Sequence, residues 1–301
     1  MDSAGNYVRE EKLLDFTFRK DAYVPYTMFR CSIAADHQSF SDTAEIQLVI
    51  NRHAVHHGLL DSLTTETSGE GTILKITSKG FTSLLCQNQI EPGLKSGVSI
   101  NSLMDGFYTL PYVTHENNSD TSNYIYVKKN SSMWDGVANL SYKLCGTYPY
   151  IRGTNCVRIT PYPNPQVTSY TADQLTSVGM TESGQNLVSN FHMADINGDF
   201  GTYDLQDDDV AARKIIRHKY FDLDMQFLQS PQDALVYRDK FCSRASVGKF
   251  CTYSGNNGED LSDVVSFPGV TSKRISAVSI YGSQSGIFTR LDVYEDGFPH
   301  Q

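Results

Sequence analysis

Three short stretches of the chain carry residue types that could do chemistry. The first is DINGDF, where Asp195, Asn197 and Asp199 alternate as the oxygen ligands of a calcium loop must. Such a loop also needs Gly at its sixth position and a bidentate Glu beyond; Phe200 stands at that position and the Glu is missing. The stretch therefore reads as a polar surface turn. The second is His53, His56 and His57, which could hold zinc, but no Cys or carboxylate lies at helical or hairpin spacing to complete the ligands. A solvated turn is expected there. The third is GSQSG at 282–286, which puts Gln284 where a nucleophile elbow needs Ser and so reads as a hairpin turn.

The common nucleotide and zinc-hydrolase signatures GxxxxGKS, GxGxxG and HExxH are absent from the sequence. Six cysteines, at 31, 86, 145, 156, 242 and 251, form no CxxC pair, so buried thiols are expected. No catalytic residue, cofactor or metal is assigned. Arg213, Lys214, Arg217, His218 and Lys219 form a basic cluster directly after the acidic Asp204, Asp207, Asp208 and Asp209. Without interleaved aromatics or a recognition helix it makes a poor nucleic-acid site. Contact with a charge-complementary subunit and a solvated surface both remain open readings.

The elements that would position these residues follow from composition and pattern. At 301 residues the chain exceeds what one core comfortably fills, and several modules are expected. Its 18 tyrosines favour β-rich structure, and its net charge of -9 argues against binding nucleic acid as a whole. The N-terminal MDSAGNYVREEKLL is too charged for a secretory leader, and no apolar run approaches a membrane span of ~18 residues, so synthesis and retention in the cytosol are expected.

The organising stretch runs from Leu59 to Leu85. Its pattern predicts a β-hairpin turning at Ser68 to Gly71, with Leu74 and Ile76 facing one way, that leads into a helix carrying Phe81, Leu84 and Leu85. With the alternating strands at 13–19 and 45–50 and a polar loop AADHQSFSDTA, it completes a first antiparallel module, 1–88. An α+β insert follows at 89–165: a short helix INSLMDGF capped by Ser99 or Asn101, a strand YIYVKK, a helix from Ser132 with Asp135 in its capping box and Gly146 at its end, and a strand NCVRIT. The prolines of PYPNPQ mark a boundary. In the third part, 166–301, residues 167–212 form an irregular insertion with an acidic loop DINGDFGTYDLQDDD. Phe221, Leu223, Met225 and Phe227 then predict a strand, Ser230, Pro231 and Asp233 open a helix, and Val278, Ile280, Ile287 and Leu291 belong to a last hairpin. Strand followed by helix also closes the first module, which suggests two related units.

HAVHHGLLDSLTTETSGEGTILKITSKGFTSLL, SINSLMDGF, the block SMWDGVANLSYKLCGTYPYIRGTNCVRIT and the C-terminal hairpin together resemble the baseplate or tail-tip hub proteins of tailed phages and contractile injection systems. The resemblance implies an α+β, β-rich fold with two tail-tube-like antiparallel β-barrel modules and smaller α/β inserts. It further implies a homotrimer whose six barrels join the tail tube to the central spike, alongside other baseplate or tail-tip proteins, with DNA passing through the channel unbound. The virion tail, assembled in the host cytoplasm, would be its location. The chain is short for that family and shows no fused spike or peptidoglycan-cleaving domain. Ring-forming contacts are expected at Leu74, Ile76, Phe221, Leu223, Val278, Ile280, Ile287 and Leu291, and a channel-facing acidic surface at Asp204, Asp207, Asp208 and Asp209. A receptor- or carbohydrate-binding β-rich virion protein, suggested by the tyrosines and by polar loops such as Asn117 to Asn123, is the alternative; a hydrolase with a non-standard site has only scattered His and Asp behind it.

Overall fold

A computed structural model of the chain describes residues 13–35, 43–69, 71–107, 109–223 and 230–296. The first part supplies β1 (Leu13–Asp21), β2 (Met28–Ala35), β3 (Glu45–Ile50), β4 (His53–Ser68) and β5 (Gly71–Gly80), followed by a 3-10 turn at Phe81–Ser83 and α1 (Leu84–Gln87). In β1 the alternation buries Phe16 and Phe18 and leaves Asp15, Thr17 and Arg19 outside, as a strand with one dry face requires. The polar loop at 36–42 and Glu70 of the hairpin turn lie outside the described residues.

The insert holds β6 (Gly93–Val98), α2 (Ile100–Phe107), β7 (Thr114–His115), β8 (Ser122–Val127), α3 (Met133–Cys145), β9 (Tyr150–Arg152) and β10 (Cys156–Arg158). Ser99 rather than Asn101 caps α2: its hydroxyl accepts from the Ser102 N–H at 3.1 Å. On α3 the Ser132 hydroxyl accepts from the Asp135 N–H at 3.1 Å while the Asp135 carboxylate accepts from the Ser132 N–H at 2.8 Å, and Gly146 ends the helix at φ 64. Both termini were readable because both are local.

The third part holds β11 (Val167–Ser169), β12 (Ser177–Glu182), β13 (Asn190–Met193), β14 (Tyr203–Gln206), α4 (Asp208–Ala212), β15 (His218–Phe221) and α5 (Pro231–Ser243). It closes with β16 (Val247–Ser254), β17 (Val264–Phe267), β18 (Val270–Arg274), β19 (Ala277–Ser283) and β20 (Gly286–Tyr294). The acidic stretch expected to be a loop thus contains a strand and a short helix. Its alternation, Tyr203 and Leu205 inward against Asp204 and Gln206 outward, was masked by the surrounding Asp and Gly.

One nine-stranded sheet dominates, in the order β12-β16-β20-β19-β1-β2-β5-β4-β3. Five of its strands come from residues 13–80 and four from 177–294, and the halves join where β1 pairs antiparallel with β19, Phe18 opposite Ile280. A separate three-stranded sheet, β14-β13-β15, packs one face against α5 around Phe191, Met193 and Leu235. Of the strand expected over Phe221, Leu223, Met225 and Phe227, only Phe221 lies in a described strand, β15 of this small sheet; Leu223 follows it outside any strand, and Met225 and Phe227 lie outside the described residues. β15 and α5, the strand and helix behind the suggested repeat, build a core of their own. PYPNPQ is pinned: the Tyr162 N–H donates to Ser262 at 3.0 Å and the Gln166 N–H to Asp263 at 2.9 Å.

Candidate assembly edges and the buried junction

Among the described residues the large sheet ends in two unlike strands. β12 is the outermost strand on one side and pairs with β16; Val178 and Met180 on it are 43% and 56% exposed. β3 is outermost on the other side and pairs with β4, with Val49 at 52% exposure. An outermost strand carries a row of backbone donors and acceptors that its own sheet does not use, which makes it a template for another strand.

Where the half-sheets join, charge is buried deliberately. The Lys20 ammonium, on β1 and 5% exposed, donates to the Asp260 carboxylate at 2.6 Å and to the Gly153 carbonyl at 2.5 Å, while the Gly153 N–H returns to Asp260 at 2.7 Å. Beside it Arg152 donates to the Asp263 carboxylate at 2.9 Å and to the Leu261 carbonyl at 2.6 Å, and its guanidinium lies 3.7 Å over the Tyr162 ring. Strand, insert and C-terminal part are thus tied by paired charges, the only form in which such groups are cheaply buried. Sequence reasoning passed over Lys20; its signal was a cation on the inward side of an alternating strand.

The three histidines are on β4, not in a solvated turn. His56 is fully buried between the hydroxyls of Thr27, 2.7 Å from Nδ1, and Ser78, 2.8 Å from Nε2. Burial, with His57 and Lys20 adding to it, pushes its pKa down to about 3, so the ring is neutral and serves packing and hydrogen bonding. Its neighbour Ser78 is equally buried, which removes the line Thr27–His56–Ser78 from any contact with substrate. His57 meets the Glu45 carboxylate at 3.0 Å, and His53 is exposed.

A cavity of about 500 Å³ opens beside the junction. Phe18, Ile50, Val278 and Ile280 contribute an apolar floor; Asn51, Gln166, Asn256 and Asn257 contribute amide groups around it. At its wall the Glu259 carboxylate, buried, accepts from the phenols of Tyr170 and Tyr253, and both phenols are held well above their usual pKa by burial and by this carboxylate.

The other candidate residues fall as follows. In DINGDF the Asp195 carboxylate accepts from the N–H groups of Asn197 at 2.8 Å and Asp199 at 3.0 Å, which makes the stretch a self-bonded turn. Among the described residues no group of three or more His, Cys, Asp or Glu is arranged to hold a metal ion. The basic cluster is dispersed: Arg217 donates to the carbonyls of Gly184, Gln185 and Leu187, whereas Arg213 and Lys214 point to solvent. Asp207 caps α4, Asp208 accepts from Gln206 at 2.7 Å, Asp209 is exposed, and Asp204 holds His192 at 2.6 Å. GSQSG is a hairpin turn, with Ser283 opposite Gly286. No helix among the described residues is long and apolar enough to cross a membrane.

The side chains expected at ring contacts lie inside this chain. Leu74, Ile76, Val278, Ile280 and Leu291 are at most 5% exposed in the main core, Ile287 packs partly buried against it, and Phe221 and Leu223 pack on the small module's core. Hydrophobic alternation marks the dry face of a strand, and here that face is filled by the chain's own insert and helices.

This β-rich α+β chain shares its fold with solved phage tail proteins. In particular, its fold is similar over 98% of its length to 95% of the tail protein from Neisseria meningitidis MC58, at a TM-score of 0.68 and 14% identity. It is similar over 93% of both chains to the prophage MuSo2 43 kDa tail protein from Shewanella oneidensis, at a TM-score of 0.64 and 12% identity. A component of the E. coli type VI secretion system, itself described as structurally similar to the T4 tail proteins gp27 and gp5, matches 96% of this chain over 74% of its own, at 0.56 and 6%. No family model matches the chain, and no curated protein matches it in sequence.

Proposed function

We propose that this chain is the structural hub of a phage tail baseplate or tail tip. Three copies close into a pseudo-sixfold ring that joins the tail tube to the central spike, contacts other baseplate or tail-tip proteins and lines the channel through which DNA passes unbound. Parts 1–88 and 166–301 act as the two tube-like modules and 89–165 as the insert. The protein works in the virion tail, is assembled in the host cytoplasm and turns over no substrate.

The observation that carries this reading is the nine-stranded sheet with β3 at one end and β12 at the other. Unlike edges make a head-to-tail contact, and a head-to-tail contact that rotates through a closed circle makes a ring. The tail-protein folds named above support the same role. A net charge of -9, with Asp208 and Asp209 exposed, suits a wall that phosphate must slide past. Solution mass measurement tests the proposal first: a trimer is expected, alone or on adding the tube and spike proteins of the same tail. A chain that stays monomeric and captures neither partner overturns it.

A second reading, a receptor- or carbohydrate-binding virion protein, rests on the cavity with its apolar floor and amide-bearing rim. Saturable glycan binding lost on Asn257→Ala, by a chain that does not assemble, would favour it.

A further inference from the structure

We infer that His192 and His218 form a chelating site for a borderline divalent transition-metal ion, with Asp204 fixing the first imidazole. The inference is independent of the hub reading. The two residues stand on β13 and β15, adjacent parallel strands in which Asn190 is opposite His218 and His192 opposite Tyr220. Their rings are coplanar within 1°, with centroids 5.3 Å apart, and His192 Nε2 faces His218 Nδ1 at 3.0 Å.

Asp204 sets the chemistry of the pair. Its carboxylate accepts from His192 Nδ1 at 2.6 Å, which places that ring's proton on Nδ1 and leaves Nε2 as a lone pair aimed at His218. A carboxylate behind an imidazole, with the far nitrogen free, is how protein sites orient a metal-binding histidine and raise its basicity. Tyr220 stacks on the His192 ring at 4.5 Å and Phe200 meets Tyr220 edge-on at 5.3 Å, so the ring is packed in place.

The spacing suits an ion. With metal–nitrogen bonds near 2.0–2.1 Å, two nitrogens in cis positions of a tetragonal ion are about 2.9 Å apart and on a tetrahedral ion about 3.3 Å. The observed 3.0 Å lies between them. In place of the hydrogen bond between the rings, the exposed His218 side chain swings so that its Nδ1 lone pair meets an ion held at His192 Nε2. Imidazole donors suit Zn2+, Cu2+ and Ni2+, and water completes the coordination at this solvent-facing site. Binding would tie β13 to β15 in a module whose buried core, among the described residues, is Val188, Phe191, Met193, Ala234, Leu235 and Cys242.

Zinc chloride titrated into the full chain, followed by imidazole nitrogen NMR, tests the site. The signals of His192 and His218 are expected to move together and saturate, with affinity at least tenfold lower in His218→Asn and about tenfold lower in Asp204→Asn. His53→Ala, which alters an exposed histidine on β4, is expected to bind as the parent does. His218 is exposed, so His218→Asn keeps the module folded, and an unchanged circular dichroism spectrum checks that. Absence of saturable binding, movement of only one of the two signals, or full affinity in folded His218→Asn would overturn the inference.

Discussion

Lys20 and Asp260, 240 positions apart, meet at 2.6 Å where the first strand, the insert and the C-terminal part converge. Removing one member leaves the other charged and shielded from water, the costly way to break a buried pair. Lys20→Met is therefore expected to lower the stability of the whole chain by about 3 kcal/mol. Urea unfolding with a single shared transition for all parts is the measurement; a loss below about 0.5 kcal/mol, the level of an ordinary surface change, contradicts it.

The sheet edges predict a change in assembly without a change in folding. Val178→Lys with Met180→Lys puts two cations on β12 at exposed positions. Charged edges repel an incoming strand. The double variant is expected to melt within about 0.5 kcal/mol of the parent, while its mass in solution falls to that of one chain.

Gly282 lies directly opposite Phe16 across the β1–β19 seam, and a Cβ at 282 would run into the Phe16 ring. The ring covers the bare glycine backbone. Gly282→Ala is expected to destabilise by about 1–3 kcal/mol through overpacking, read by thermal unfolding, and Phe16→Leu should relieve part of that loss in the double variant.

His56 makes stability depend on pH in a stated direction. Its folded pKa of about 3 lies below the unfolded value near 6.5, so the unfolded chain binds a proton that the folded chain refuses. Stability from this group is complete above about pH 6.5 and is lost as pH falls from there towards 3. His56→Leu is expected to be less stable at pH 7 because Thr27 and Ser78 lose their partner, and to show a shallower decline below pH 6.5. Chemical denaturation of both proteins across that range gives the comparison.

Asp239 on α5 runs the other way. Burial first, then the neighbouring Asp207 carboxylate, raises its pKa to about 6. Stability from this group is present below about pH 4, the unfolded value, and is lost as pH rises through 6. Asp239→Asn is expected to stabilise the small module at pH 7.5 by about 1 kcal/mol after solvent screening, measured as slower proteolysis between β14 and β15.

Much of the local structure was legible. Ser132 with Asp135, and Ser230 with Pro231 and Asp233, mark helix starts because a cap satisfies donors within one turn. The hairpins around Ser68 and Gln284 were legible because a short turn fixes its own register. The histidines at 53–57 were misjudged because a polar residue looks solvated until its partners are known, and those of His56 come from elsewhere in the chain, Thr27 just before β2 and Ser78 on β5. Periodicity tells that Ile280 or Leu291 needs cover, and only the folded chain shows that its own core supplies it.

By itself the sequence determined where α3 and α5 begin, the hairpins around Ser68 and Gln284 and the dry face of β1, since each depends on neighbours a few residues away. Only the tertiary structure decided that β1 lies beside β19, that one sheet spans both halves with β3 and β12 at its ends, and that β13, β14 and β15 stand apart. The physical reason is that backbone hydrogen bonds pair any two strands alike. The choice of partner rests on side chains hundreds of positions away, Phe16 against Gly282 and Lys20 against Asp260 among them.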